Sequence, residues 1–273
     1  MRVVVLASSL YSETACAMCA RLAQAGYVPA AALALGSFNR PTLLRKVKQW
    51  GLGGATDYAW AKLIRGESRA HIKNPYFERL LGNGDDVFRS MRDVARAYRF
   101  PVATCSDQNS QNSLARLKQW SPDLIIFTGG NILRRPLLDI PRLGVINAHL
   151  GLLPEMRGMS SPEWSLLNNL PLGVAVHYID DGIDTGPVLQ QFELPDAAGS
   201  ESLSELRDRL IAFGVEKMAD VVAALDRGTV SACPQPECNK DNQSFVMHER
   251  LQALAAQRLR KARVASVPGV VHG

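Results

Sequence analysis

Residues 1–6, 28–35, 102–105 and 124–128 are short apolar runs, and helix-patterned stretches separate the first from the second and the third from the fourth. A strand, a helix and a second strand close a βαβ unit, whose two strands run parallel because the helix carries the chain back along the sheet. This alternation constrains the chain more than any other feature. It predicts an α/β fold with a Rossmann-like, mostly parallel sheet.

The remainder fits around that sheet. Residues 38–99 have no strand pattern; their helical pieces are broken by Pro41, the glycines at 51, 53 and 54, Pro75 and the Gly82-Asn83-Gly84 turn, and they read as a helical insertion over the sheet edge. Further strands are expected at 144–149, 174–179 and 187–194, with a helix in the latter part of 152–168. Ser202-x-x-Glu205 has capping-box spacing, and Leu203, Leu206, Leu210, Phe213 and Met218 recur at helical spacing until Gly228. A Pro- and polar-rich stretch at 233–244 then leads into a short, basic helical extension. We expect a main domain over 1–228 and a C-terminal extension over 229–273.

A hydrophobic fraction of 47% in 273 residues can fill such a core. The apolar start gives way at once to Ser8, Ser9, Tyr11 and Glu13, and no run is long enough to span a bilayer, so a soluble, cytoplasmic protein is expected. Cys16, Cys19, Cys105, Cys233 and Cys238 are too scattered for a disulfide scaffold. Cys16 and Cys19 have CxxC spacing but fall in a helical pattern, and no metal is expected. The net charge of +5 is uneven: residues 40–99 hold thirteen Lys and Arg against six Asp and Glu, and residues 245–273 hold five against one. Such patches suit an anionic partner, although a solvated helical face has the same composition.

Three features cluster in the second half. Asn147-Ala148-His149 ends an apolar strand, residues 152–158 (LLPEMRG) follow it, and residues 181–187 (DGIDTGP) lie between two strands. Singly, each has an ordinary reading, as a hydrogen-bonded strand-end histidine, a turn-forming asparagine and an Asp-Gly turn. Together they point elsewhere. Ligands of open α/β sheets bind beyond the carboxyl ends of the strands, and residues two apart on a strand share a face. If the strands neighbour one another, a carboxamide, an imidazole and the Asp184 carboxylate converge, a set suited to acyl transfer onto an amine.

The runs GVINAHLGLLPEMRG and GVAVHYIDDGIDTGPVL resemble the formyltransferase domain shared by glycinamide ribonucleotide transformylases, methionyl-tRNA formyltransferases and amino-sugar N-formyltransferases. The resemblance extends back through DLIIFTGGNILRRPLLDIPRLG and weakly to the first strand. It implies the Rossmann-like formyltransferase fold and an enzyme using 10-formyltetrahydrofolate as co-substrate. It also implies roles: Asn147 on the formyl oxygen, His149 stabilising the tetrahedral intermediate, and Asp184 orienting His149 and relaying the amine's proton. The pteridine head is expected against the loops Gly130-Asn131-Ile132-Leu133 and Asp181-Gly182-Ile183, with residues 152–158 holding the strand end. His177 is read as packing beside the site.

Departures from each branch narrow the acceptor. Ala7-Ser8-Ser9-Leu10-Tyr11-Ser12 lacks the glycine-rich phosphate turn of the ribonucleotide enzymes, and Ser12 reads as a plain helix cap. Residues 245–273 are too short for the C-terminal barrel of the tRNA enzymes, so nucleic acid ranks below a small-molecule amine. Residues 157–164, with an aromatic after the Arg-Gly turn, resemble amino-sugar formyltransferases most. A nucleotide-linked amino sugar is therefore the expected acceptor, with a hydroxyornithine-type amine or glycinamide ribonucleotide as alternatives. A formyltetrahydrofolate hydrolase, and a nucleic-acid-binding protein with a decayed folate site, are the competing classes; a homodimer stays open.

Overall fold

The computed structural model describes residues 1–36, 74–82, 87–236 and 243–266. The chain forms two compact units, Met1–Ile146 and Asn147–Gly273. In the first, β1 (Val3–Ala7), β2 (Ala31–Leu35), β3 (Val102–Cys105) and β4 (Leu124–Phe127) pair in parallel in the order β3-β2-β1-β4. Every β1 side chain is buried, as expected of a central strand covered on both faces, which is why its sequence shows no polar alternation. β2 starts three residues later than expected. Pro29 has no N–H to give a ladder.

β5 (Gly144–His149), β7 (Gly173–Tyr178) and β8 (Val188–Glu193) complete a seven-stranded, mostly parallel sheet of order β3-β2-β1-β4-β5-β7-β8, in which β8 runs antiparallel to β7.

Helix α1 (Glu13–Gln24) begins where Ser12 Oγ accepts from the Ala15 N–H. Burial pushes the Cys16 thiol up to about 12, with Asp93 and Glu13 adding to the effect, and raises the Cys19 thiol well above its ordinary value. Both stay protonated at neutral pH, so the CxxC spacing here serves packing of a small-residue helix. Of the expected insertion, residues 38–73 and 83–86 lie outside the described residues. The described remainder is helical: α2 (Glu78–Leu81) and α3 (Met91–Tyr98) pack on α1, burying Phe77, Leu80, Leu81, Met91 and Val94. Helices α4 (Gln111–Trp120) and α5 (Arg135–Leu138) follow β3 and β4.

In the second unit, α6 (Ser161–Asn168), α7 (Leu203–Asp226) and α8 (Glu249–Ser266) accompany β7 and β8. The cap forms in a shifted version of the expected box: Ser202 Oγ accepts from the Glu205 N–H at 3.1 Å, while the Glu205 carboxylate turns back to the N–H of Glu201, one residue before the cap, at 2.7 Å. Leu206 and Leu210 of α7 are buried with Val174 of β7 and Leu259 of α8; each such side chain stabilises by roughly 2 kcal/mol. Leu259 thus makes the basic tail part of this core. Arg258 reinforces the docking by donating to the Leu167 carbonyl and to Asn169 Oδ1, both at 2.8 Å, at the end of α6 where carbonyls lack helical partners. Among the described residues, no helix is long and apolar enough to cross a membrane.

Candidate active site

Asn147, His149, His177 and Asp184 all belong to the second unit. β5 ends on Asn147 and His149, β7 supplies His177 one residue before its end, and the loop between β7 and β8 supplies Asp184. Asn147 is half-buried, and His149 is 7% exposed.

The bonds to His149 fix its proton. Nε2 lies 2.8 Å from the Met156 carbonyl oxygen, which can only accept, so this nitrogen donates. Ser161 Oγ, 3.1 Å from the same Nε2, has its own acceptor in the Gly158 carbonyl at 3.2 Å. Nδ1 faces Asp184 Oδ2 at 3.4 Å. In a neutral ring that nitrogen presents a lone pair to the carboxylate; only the doubly protonated ring donates across the gap.

Asp184 has a left-handed backbone, φ 53°, a conformation that aspartate tolerates better than most side chains but that costs energy away from glycine. Its surroundings hold it there. Oδ2 accepts from the Gly158 N–H at 2.8 Å, Oδ1 lies 3.6 Å from His177 Nε2, and the backbone carbonyl accepts from Gln235 Nε2 at 2.9 Å. Asp180 Oδ1 shapes the preceding turn by accepting from the Gly182 N–H at 3.0 Å and from Thr185 Oγ1 at 2.5 Å. At Gly186 a Cβ would stand 1.9 Å from the Tyr178 carbonyl oxygen, so only glycine lets the loop return this close to β7.

His177 does more than pack. It is 1% exposed, its Nδ1 donates to the Tyr178 carbonyl at 2.8 Å, and its buried Nε2, without a hydrogen-bond partner among the described residues, lies toward the second oxygen of Asp184. The two imidazoles meet edge to face at 6.2 Å between centroids. Burial holds His177 below its ordinary value; Asp184 opposes the shift and His149 adds to it. Because the unfolded chain binds this proton more tightly than the folded one, stability from neutral His177 is present above the unfolded value of 6.5 and declines as pH falls through it. The wild type is expected to lose up to about 1.4 kcal/mol per pH unit more than His177→Asn between pH 6.5 and 5. Urea midpoints across that range check it; parallel curves would remove the buried-proton account.

Residues 152–158 hold the strand end and also contribute directly. Gln191 brackets Leu153, accepting from its N–H at 2.6 Å and donating to its carbonyl at 2.8 Å. Met156 O and the Gly158 N–H then grip His149 and Asp184. β6 (Arg157–Gly158) pairs in parallel with β9 (Gln243–Ser244), a contact the polar composition of 233–244 did not foretell. Arg157, 2% exposed, donates from Nε and Nη2 to Gln235 Oε1 at 3.1 and 2.5 Å. Glu163 of α6 is fully buried, with Arg207 Nε of α7 at 2.5 Å; the contact is an ion pair off the hydrogen-bond line, for neither carboxylate oxygen has a hydrogen-bond partner among the described residues. It ties the helix carrying Ser161 to α7.

The loops expected at the pteridine lie one in each unit. In the second, Asp181, Gly182 and Ile183 are exposed on the Asp180 turn. In the first, buried Gln108 accepts from the Asn131 N–H at 3.0 Å, and Asn109 donates to the Ile132 carbonyl at 3.0 Å and accepts from the Arg134 N–H at 2.9 Å. Gly130 and Ile132 are exposed and Leu133 is buried. Gln108, Asn109, Ser161 and Gln235 were not marked in the sequence. Each acts through partners far along the chain, or through backbone groups that leave no local pattern.

An imidazole and a carboxylate thus meet at strand ends of a mostly parallel α/β sheet, the end at which such sheets bind ligands. Residues 72–222, more than half of the chain, match the family model described as formyl transferase, and the chain belongs to that family. It is 36% identical over 152 residues to the methionyl-tRNA formyltransferase of Koribacter versatilis, covering 55% of this chain and 48% of that one. With the Synechococcus elongatus enzyme of the same name it shares 32% over 190 residues, covering 68% and 57%. The chain thus spans about half the length of the curated relatives it matches. In fold it is similar to glycinamide ribonucleotide transformylase 1 from Symbiobacterium toebii, with a TM-score of 0.54 and 15% identity over 91% of this chain and 95% of that one.

Proposed function

We propose that this chain transfers a formyl group from 10-formyltetrahydrofolate to the amine of a small, anionic acceptor such as a nucleotide-linked amino sugar. The observation that carries the reading is the placement of two histidines about the Asp184 carboxylate, one of them beside Asn147 at the end of β5. When bound, the folate supplies the formyl carbon: the acceptor amine bonds to it, the bond from that carbon to the folate nitrogen breaks, and the freed nitrogen takes up one proton as the amine gives one up. Asn147 and His149 donate to the formyl oxygen as negative charge gathers there, and Asp184 helps take the amine's proton and orients His149 once the ring is protonated on both nitrogens. Both His149 nitrogens face protein groups, so the ring must release Met156 O to reach that oxygen. Catalytic hydrogen bonds commonly reach their final geometry only with substrate in place.

The loop Asp181-Gly182-Ile183 supports a folate contact: it is held on the Asp180 turn and leaves Ile183 49% exposed, an apolar side chain on a fixed backbone of the kind a flat heterocycle packs against. The acceptor class rests on the excess of positive charge over 40–99 and on the segment 157–164.

A second reading, a tRNA acceptor, draws on the names of the curated relatives and on the basic residues of α8. Tetrahydrofolate release from 10-formyltetrahydrofolate is the deciding assay, with nucleotide-linked amino sugars, hydroxyornithine, glycinamide ribonucleotide and methionyl-tRNA as acceptors. We expect turnover that depends on an amino-sugar nucleotide. Turnover only with the tRNA, steeply weakened by salt, would replace the acceptor, and formate release without any amine would make the protein a hydrolase.

A further inference from the structure

We propose that Gln235, which lies beyond the matched residues 72–222, is a positioning residue that latches the Asp184 loop into its working shape. The inference rests on the reading of Asp184 as part of the catalytic set. Gln235 belongs to a segment that composition marks only as polar. The fold gives it a fixed course: Cys233 and Val188, the first residue of β8, exchange N–H to carbonyl hydrogen bonds, each 2.8 Å, which sets Gln235 two residues beyond a rigid strand start.

The orientation of its carboxamide follows from Arg157. A guanidinium has only donors, so the Gln235 oxygen must face Nε and Nη2 of that buried side chain. The amide nitrogen is thereby turned to two backbone carbonyls, Asp184 O at 2.9 Å and Gly186 O at 2.7 Å. These carbonyls bracket the turn that contains the left-handed Asp184. A conformation of that kind persists only where neighbours over-determine it, and Gln235 supplies two of the bonds. Arg157 also precedes Gly158, whose N–H holds Asp184 Oδ2. One side chain therefore couples the β6 strand, the catalytic loop and the segment after α7.

The rival account is that Gln235 merely satisfies buried Arg157. Gln235→Glu separates the two in the full chain. A carboxylate pairs with Arg157 more strongly than an amide does, but it has no donor for the two carbonyls and sets an oxygen against them. We expect amide exchange across 180–187 to be faster by about tenfold or more, an effect that a better-paired Arg157 alone would not produce. We also expect kcat to fall about tenfold to a hundredfold, with KM for 10-formyltetrahydrofolate within about twofold. The double variant Arg157→Met/Gln235→Met, which removes both buried polar groups together, is expected to show the same faster exchange. Wild-type exchange in both variants overturns the latch. If the wild type transfers no formyl group to any acceptor, the catalytic reading fails instead, and the exchange comparison still decides whether Gln235 holds the loop.

Discussion

His149→Ala is expected to lower turnover by about a hundred- to ten-thousandfold, the range for loss of a positioned acid-base group, while the protein stays folded. The fold survives because His149 stands at a strand end, and its removal strips one hydrogen bond from the Met156 carbonyl, a cost of about 1–3 kcal/mol if that oxygen stays dry. Asp184→Asn is the sharper partner experiment. Asparagine accepts left-handed backbone nearly as readily as aspartate and keeps an oxygen for the Gly158 N–H. What it loses is the negative charge between His149 and His177. A fall of similar size with an unchanged circular dichroism spectrum would assign the effect to charge. Asp184→Ala also gives up backbone tolerance, so a loss there would mix the two causes. Near-normal kcat in His149→Ala or Asp184→Asn, at saturating 10-formyltetrahydrofolate, would take that residue out of the chemistry.

Gly158→Ala is expected to damage stability and turnover together. Gly158 has φ 90°, and a Cβ there would stand 2.2 Å from the Ser244 carbonyl oxygen. That oxygen is backbone and cannot swing aside as a side chain would. β9 must therefore part from β6, stretching the bond of 3.0 Å from the Met159 N–H to the same Ser244 oxygen. The Gly158 N–H then leaves Asp184 Oδ2. Strained backbone and the lost bond together amount to about 2–4 kcal/mol, roughly 5–15 °C in midpoint for a chain of this size, with kcat reduced at least about tenfold. Thermal denaturation and steady-state kinetics on one preparation check both halves. An unshifted midpoint would mean that the β6–β9 contact contributes little to the unit.

The alternation of apolar runs with helix-patterned stretches foretold the sheet, since side-chain period and β-branching are local properties that each segment carries with it. The Ser12 cap and the Ser202 to Glu205 box were legible for the same reason: a cap is made by residues three apart. Where the sequence reading missed an edge, as at residues 28–30, one proline overrode a run of otherwise suitable side chains.

The site divides along the same line. The sequence alone marked Asn147, His149 and Asp184 as a candidate site, because residues two apart on a strand share a face and an Asp-Gly turn announces a loop. Tertiary structure decided how it is held. It set His177 against the second oxygen of Asp184, fixed the His149 proton through Met156 O, and brought Gln235 from 51 residues downstream onto the Asp184 carbonyl. Those contacts use backbone carbonyls and N–H groups, which every residue possesses, at separations that no local period encodes. Only a folded chain can say which of many identical carbonyls a given side chain will meet.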